Sequence, residues 1–528
     1  MALSKQGSSS GTRNMSLIGL ILAVSMTTID ATIVALSAPT IQADLNLSHG
    51  GVQWAVNVYL LTTAAFFLLG GRLADVWGHT RMVLVGIVGF ALASLLCSLA
   101  PSGDLAEAWL ITARGLQGIA GALMFPAAIG IVVQTFPKEG RAKAMATFFA
   151  TTGAMTAVGP IAGGYLTEWT WRSIFWVNLP IAVVAVAILV VATPRTAPLA
   201  ARIDWSGAAV VGLGMGLIVF GLQQASSWGW SSPAVIGSLV LGAVLLVVFV
   251  RMELSGTDPL VRIEAFRDRG FTVAVLATLF SSLAFIPAFY FLSVYGQVSL
   301  HLSAISTGLL FLKFFIGFVI AAQIGASMFE RSGARPVLAI GGVVGVAGFA
   351  WLATTLTDLD IDGDAFFNPQ TWPMVVAGAG IGFMFSAAAT DAVNRAIGTS
   401  YGEVTAISQS MKNFGGAVGV AVLTTLVTSQ LTSRLTTSFE RLGASKADAD
   451  EAVNFITGAS AKGSGLSKES ASVQREFMRA VESDYAHAVQ WAFYGMAAAM
   501  AVVLLLALFY PARRTTPAGA TSQTPAAP

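Results

Sequence analysis

Asp30 stands inside an apolar run that extends from about Met15 to Ala38. A charge deep in such a segment costs at least about 2.5–3.5 kcal/mol on the insertion scale, so it needs a reason. Burial disfavours the charged form, which suits Asp30 to take up and release a proton. The bland alternative is a hydrogen bond that only fixes the first helix. Arg114 lies in another apolar run, with Gln117, Gly118 and Gly121 on nearby turns. It is suited to sense the proton state of an acid across a cavity, to bind a substrate acceptor, or to make a static interhelical pair. Lys313 is a further intramembrane charge, expected to face a cavity or to pair with another span. Trp54, Asn57 and Tyr59 are candidate cavity residues, although aromatics near a membrane interface often serve as anchors.

Glycines form a second kind of pattern. Gly159 and Gly163 are four residues apart, a small face that lets helices approach closely. Pro160 between them bends its span or frees a carbonyl. A flexible gate and simple tight packing are both compatible with this arrangement. Gly415 and Gly419 repeat the spacing, and there packing is the expectation.

The elements that carry these residues follow from composition. The chain has 528 residues, 55% hydrophobic and only 11% charged, too few charges to cover a globular surface. Lipid is the alternative solvent, and in lipid only helices or closed barrels satisfy the backbone. Barrel strands alternate apolar and polar residues, whereas these runs are unbroken and rich in Gly, Ala and Leu. The fold class is therefore an all-α polytopic membrane protein of about fourteen spans. They fall near 15–38, 52–71, 82–100, 108–135, 144–166, 174–193 and 206–225, then 233–250, 271–294, 306–328, 336–355, 372–394, 404–428 and 486–510.

Lys and Arg set the orientation. Arg72, Arg81, Lys138, Arg141, Lys143, Arg251, Arg262, Arg267, Arg331 and Arg335 fall in one set of short loops. The other set carries Arg172 and an acidic stretch at 358–364. The first set is expected in the cytoplasm together with both termini. The loop 429–485 is expected outside and partly helical, because Leu431, Leu435, Phe439 and Leu442 fall at helical spacing. The tail from Arg513 has the composition of a disordered segment.

Several segments carry a family resemblance. Gly71-Arg72-Leu73-Ala74-Asp75-Val76-Trp77-Gly78-His79-Thr80-Arg81 resembles the loop signature of the major facilitator superfamily, and Glu330-Arg331-Ser332-Gly333-Ala334-Arg335 is a degenerate copy. Paired loops in two halves are what a repeat-built transporter shows. Ile29-Asp30-Ala31-Thr32-Ile33-Val34 with Pro39 is similar to the first-helix motif of the fourteen-helix drug/proton antiporters. Arg114-Gly115-Leu116-Gln117-Gly118 resembles the fourth-helix motif. Gly153, Gly159-Pro160 and Gly163-Gly164 resemble the antiporter motif of the fifth, extended by Trp171-Arg172 and Asn178-Leu179-Pro180.

The resemblance implies the major facilitator fold: a six-helix half at 15–193, a linker with two additional spans at 194–270, and a second half at 271–510. Residues 1–14 and 511–528 would be cytoplasmic ends. It also implies alternating access driven by protons, with Asp30 and Arg114 as coupling residues. Gly71, Asp75, Gly78, Arg81, Glu330 and Arg335 would form a latch closing the cytoplasmic side. The chain departs from the family at Ala35, where Asn is usual, at Lys313, where Pro is common, and at His79 and Thr80, where basic residues are common. These departures bear on substrate choice.

Other readings are weaker. The chain has no Gly-x-Ser-x-Gly, no His-Glu-x-x-His and no phosphate loop, so neither an intramembrane enzyme nor direct use of ATP is expected. His49, His79, His301 and His487 are scattered. Cys97, the single cysteine, excludes an intramolecular disulfide. The acidic stretch imitates the start of a calcium loop but has Pro369 where a bidentate Glu is required. Asp391 and Arg395, four apart, are expected to pair. A net charge of +2 without a basic stripe argues against nucleic acid as a partner. The expected partners are protons, the bilayer and a lipophilic small molecule, with no cofactor, in a monomer of the cell membrane. Export of lipids or one metabolite, or symport, remains open on the same fold.

The orientation is testable with single cysteines placed in a Cys97→Ala background. An impermeant thiol reagent added to intact cells should label 429–485 rapidly and leave 137–143 unlabelled. The reverse pattern inverts the topology.

Overall fold

The computed structural model describes residues 10–193, 203–256, 259–359, 369–394, 401–442 and 471–511. The acidic stretch from 360 to 368, Arg395, residues 443–470 and the tail from 512 lie outside the described residues. Regular structure among the described residues is helical. In chain order the first helices are α1 (Ser10–Leu45), α2 (His49–Trp77), α3 (His79–Ser98), α4 (Ala106–Thr135), α5 (Lys138–Trp169), α6 (Ser173–Trp176) and α7 (Asn178–Ala192). A hairpin follows, α8 (Trp205–Trp228) and α9 (Pro233–Ser255). The remainder are α10 (Arg269–Val298), α11 (Ala304–Ser332), α12 (Ala334–Thr355), α13 (Thr371–Asn394), α14 (Tyr401–Arg441) and α15 (Ala471–Leu508).

Thirteen helical segments are long and apolar enough to cross a membrane, α6 and α7 counting as one. The more polar α5, 32 residues long, completes the bundle. Every expected span coincides with one of these helices. The helix boundaries differ most at α14 and α15, which run on into the expected loop 429–485. Leu431, Leu435 and Phe439 are fully buried there, and Phe439 packs on Phe477 with ring centroids 4.7 Å apart. The apolar period continues beyond the membrane-length segment, so the helices do too. The sixth span breaks into α6 and α7 ahead of Pro180, whose missing N–H removes one helical hydrogen bond.

Helices α1–α7 and α10–α15 form two packed groups, and the α8–α9 hairpin rests on α2 and α14. We call the side that holds the start of α1 and the end of α15 the terminal face, and the other the distal face. The α2–α3 and α11–α12 turns repeat one device at the terminal face. Gly78 (φ 94°) and Gly333 (φ 78°) each end one helix and begin the next. That left-handed conformation is open to glycine and costly for a residue with a Cβ.

The two groups meet closely towards the distal face. Ser293 and Gln297 of α10 donate to the carbonyl of Leu36 in α1, at 2.8 and 3.2 Å. Helix α5 lies between α1 and α11. A Cβ on Gly159 would lie 2.9 Å from Ile29 O, and one on Gly163 2.8 Å from the Ile33 side chain, both on α1. A Cβ on Gly164 would lie 2.8 Å from Ile305 Cα on α11, and one on Gly308 would strike the carbonyl of Pro160. Side-chain-free surface on both partners therefore lets α5 and α11 approach across the boundary.

This approach gives a prediction. Gly308→Val should force the groups apart at the distal face. In a Cys97→Ala background, a cysteine replacing the fully buried Leu36 should then react with a thiol reagent much faster than in the Gly308 protein. An unchanged labelling rate would show that the closure does not depend on this contact.

Candidate functional site

Asp30 and Arg114 come together. Both side chains are buried to within 1% of full occlusion, Asp30 on α1 and Arg114 on α4, and Arg114 Nη1 bonds Asp30 Oδ2. Gln117, one turn along α4, donates from Nε2 to Asp30 Oδ1 at 2.8 Å and accepts from Arg114 Nη1 at 2.5 Å. The guanidinium also donates through Nε to the Ala55 carbonyl of α2 at 3.0 Å. Its Cζ lies 4.3 Å from the centre of the Tyr59 ring, stacked in a cation–π contact. Gln117 Nε2 reaches Ser94 Oγ at 2.8 Å, and Asn178 Nδ2 reaches the same hydroxyl at 3.2 Å. The acid is thus tied to α4, and through this network to α2, α3 and α7. A charge in a low-dielectric interior is tolerable only when paired and hydrogen-bonded in this way.

Two spaces flank the pair. The larger lies between the two groups of helices. Its wall from the first group includes Thr27, Ala31, Thr32, Tyr59 and Phe125. Its wall from the second includes Phe285, Phe289, Gln409, Lys412 and Asn413. The smaller space extends from Arg114 towards the distal face and is otherwise lined by apolar residues such as Val34, Ile41 and Val52. Tyr59 separates the ion pair from the larger space. Its ring covers Arg114, and its hydroxyl donates to Thr27 O at 3.0 Å.

Helix α1 joins this site to α5. Pro160 has no N–H, so the Thr156 carbonyl one turn earlier lacks its helical donor. Thr32 Oγ1 lies 3.2 Å from it, sharing its one proton between that oxygen and the Ile29 carbonyl of α1 at 3.1 Å. Thr32, two residues from Asp30, therefore holds the helix whose glycine face meets α11.

Other expected residues lie elsewhere. Asn57 is fully buried and donates to Gln223 Oε1 of α8 at 2.7 Å, and Trp54 packs on Phe220 of the same helix. These two fix the α8–α9 hairpin and are not among the residues lining the larger space. Lys313 is buried on α11 and is likewise not on that wall. The cation on the wall is Lys412, which the sequence reading passed over. In the terminal-face turn, Asp75 Oδ1 meets His79 Nε2 at 3.4 Å, and Arg81 is exposed. Glu330 and Arg335 are exposed too, with Arg335 Nη2 reaching Leu508 O at 3.4 Å. On α5, Gly153 faces open space. Asp391 is buried and accepts a hydrogen bond from Tyr510 of α15.

Removing one member of the buried pair leaves the other charge uncompensated, a loss of about 3–5 kcal/mol. Arg114→Gln should therefore lower the unfolding temperature of the purified protein more than Arg114→Gln combined with Asp30→Asn. If the double variant is the less stable of the two, the ion pair itself is not what makes the single change costly.

The chain is similar to known membrane transporters. The family model for the Major Facilitator Superfamily matches residues 18–420. The chain is 34% identical over 419 residues to the puromycin resistance protein pur8 of Streptomyces alboniger, covering 78% of this chain and 81% of that protein. It is 31% identical over 418 residues to the tetracenomycin C resistance and export protein of Streptomyces glaucescens, covering 79% and 76%. The fold is similar to that of a bacterial homologue of the human lysosomal transporter Spinster, with a TM-score of 0.56 at 17% identity, covering 95% of this chain and 98% of that one. Two groups of helices around a central space, a charged pair in the first and a matching turn in each are thus found on a chain that belongs to the Major Facilitator Superfamily, a multi-pass membrane transporter and not an enzyme.

Proposed function

We propose that this transporter exports lipophilic small molecules across the cytoplasmic membrane in exchange for protons, by alternating access. The observation that carries the reading is the wholly buried Asp30–Arg114 pair set directly behind the wall of the central space. The exporter relatives support the direction of transport: one is named for resistance and export of tetracenomycin C, another, in Bacillus subtilis, as a multidrug transporter. The excess of Lys and Arg in the terminal-face loops supports a cytoplasmic location for both termini. The distal face would then be outside, and the close α5–α11 and α1–α10 contacts would close the space from the exterior.

The mechanism follows from charge. With Asp30 ionised, its carboxylate holds Arg114 and Gln117 and fixes α1 against α4. Protonation removes the attraction and frees the guanidinium to change partners. Helix α1 also forms part of the central space and holds α5 through Thr32, so loosening α1 reaches both the substrate and the distal contact. Whichever protonation state of Asp30 a bound substrate favours, protonation must change substrate affinity by the same factor, because the linkage is reciprocal.

Asp30→Asn keeps the size of the side chain and one of its two acceptor oxygens but cannot ionise. In reconstituted vesicles with an imposed pH difference it should fold and bind ligand yet show no uphill substrate flux and no linked proton flux. Full gradient-driven transport by this variant would make Asp30 structural and turn attention to the buried Asp391.

A further inference from the structure

The central space has an electrostatic character that the export reading does not specify. Among the described residues lining it, Lys412 alone carries a charge. Asp30 is not on the wall and is committed to Arg114 and Gln117. None of the described carboxylates lies within ion-pair distance of Lys412. Its ammonium is 5.2 Å from the centre of the Phe385 ring and 6.0 Å from that of Phe285. Aromatic faces stabilise a cation only in part and leave its charge unneutralised. Gln409 and Asn413, on the same face of α14, add polar groups to the wall. Phe285 and Phe289 offer flat apolar surface beside them, edge to face with centroids 5.0 Å apart.

We propose that the central space takes molecules joining an aromatic body to a single anionic group, with Lys412 selecting the anion. The assignment deepens the export reading and rests on it for the statement that the bound molecule is cargo. An ammonium in a partly dry site gains most from a ligand that supplies the missing negative charge, and the phenylalanine wall accommodates the flat body. A cationic molecule of the same shape would bring a second positive charge into the same confined space, which is unfavourable at low dielectric.

Three probes of one shape test this: 2-naphthoxyacetate, its uncharged amide, and the trimethylammonium analogue. Equilibrium dialysis against the purified full-length protein in detergent, corrected for detergent alone, gives their relative affinities. The wild type should bind the acid about tenfold or more better than the amide, and the cation least. Lys412→Met should lose the preference for the acid while keeping the amide affinity, and Lys412→Arg should retain it. A wild type with no preference for the acid overturns the assignment. So does a Lys412→Met protein that keeps the preference, or one that loses acid and amide in parallel. If the preference holds but reconstituted vesicles show no gradient-driven export of the acid, the export reading fails and the ligand class stands.

Discussion

A carboxylate and a guanidinium cannot be held in an apolar helix bundle unless each satisfies the other, and the first group of helices is arranged around that requirement. Asp30 uses both oxygens, one on Arg114 and one on Gln117. Arg114 is further met by the Ala55 carbonyl and the Tyr59 ring. These contacts fix the facing surfaces of α1, α2 and α4, and through Ser94 and Asn178 they reach α3 and α7. The same contacts make the site responsive. A network satisfied only when the acid is ionised is one that a single proton unsettles.

From Asp30 the consequences run along α1. Thr32 shares its hydroxyl proton with the carbonyl that Pro160 leaves without a donor, so a defect in α5 becomes a contact between two helices. The next turn of α5 presents Gly163 to α1 and Gly164 to α11, placing this helix in contact with both groups. A buried ion pair, a wall of the central space and a contact across the boundary therefore share one helix. Small rotations of α1 cannot leave the other two unaffected, because the packed surfaces have no slack for independent movement.

Much of this was legible in the sequence, and what was not has a physical cause. Asp30 and Arg114 stand out because charge in an apolar run is expensive, and the fourteen spans because lipid permits so few structures. Gly78 and Gly333 were marked by the repeated turn, and each has the positive φ that only glycine adopts readily. The identity of the cavity wall was not legible. Helices that are apolar all round give no period that separates a lipid-facing side from a protein-facing or cavity-facing one. Trp54 and Asn57 were therefore assigned to a cavity, whereas they face α8. The argument that singled out Lys313 applies equally to Lys412, which was available in the sequence as a charge within the thirteenth span. The partner of the carbonyl freed by Pro160 required the fold, since Thr32 is 124 residues away.

The α8–α9 hairpin packs on both groups of helices. It is joined to the first group by the buried Asn57–Gln223 hydrogen bond and to the second by Thr425 Oγ1 on Leu222 O at 3.1 Å. Both polar contacts come from neighbouring residues of α8, and apolar contact runs further along the helix, where Val211 and Met215 share a buried cluster with Ala64 and Leu68 of α2 and Ile407 of α14. Helix α9 packs on α8 through Gly214 and Gly242 and turns Val240, Val244 and Val247 outwards. Such a surface is at home in lipid, where sliding exposes no unsatisfied polar group.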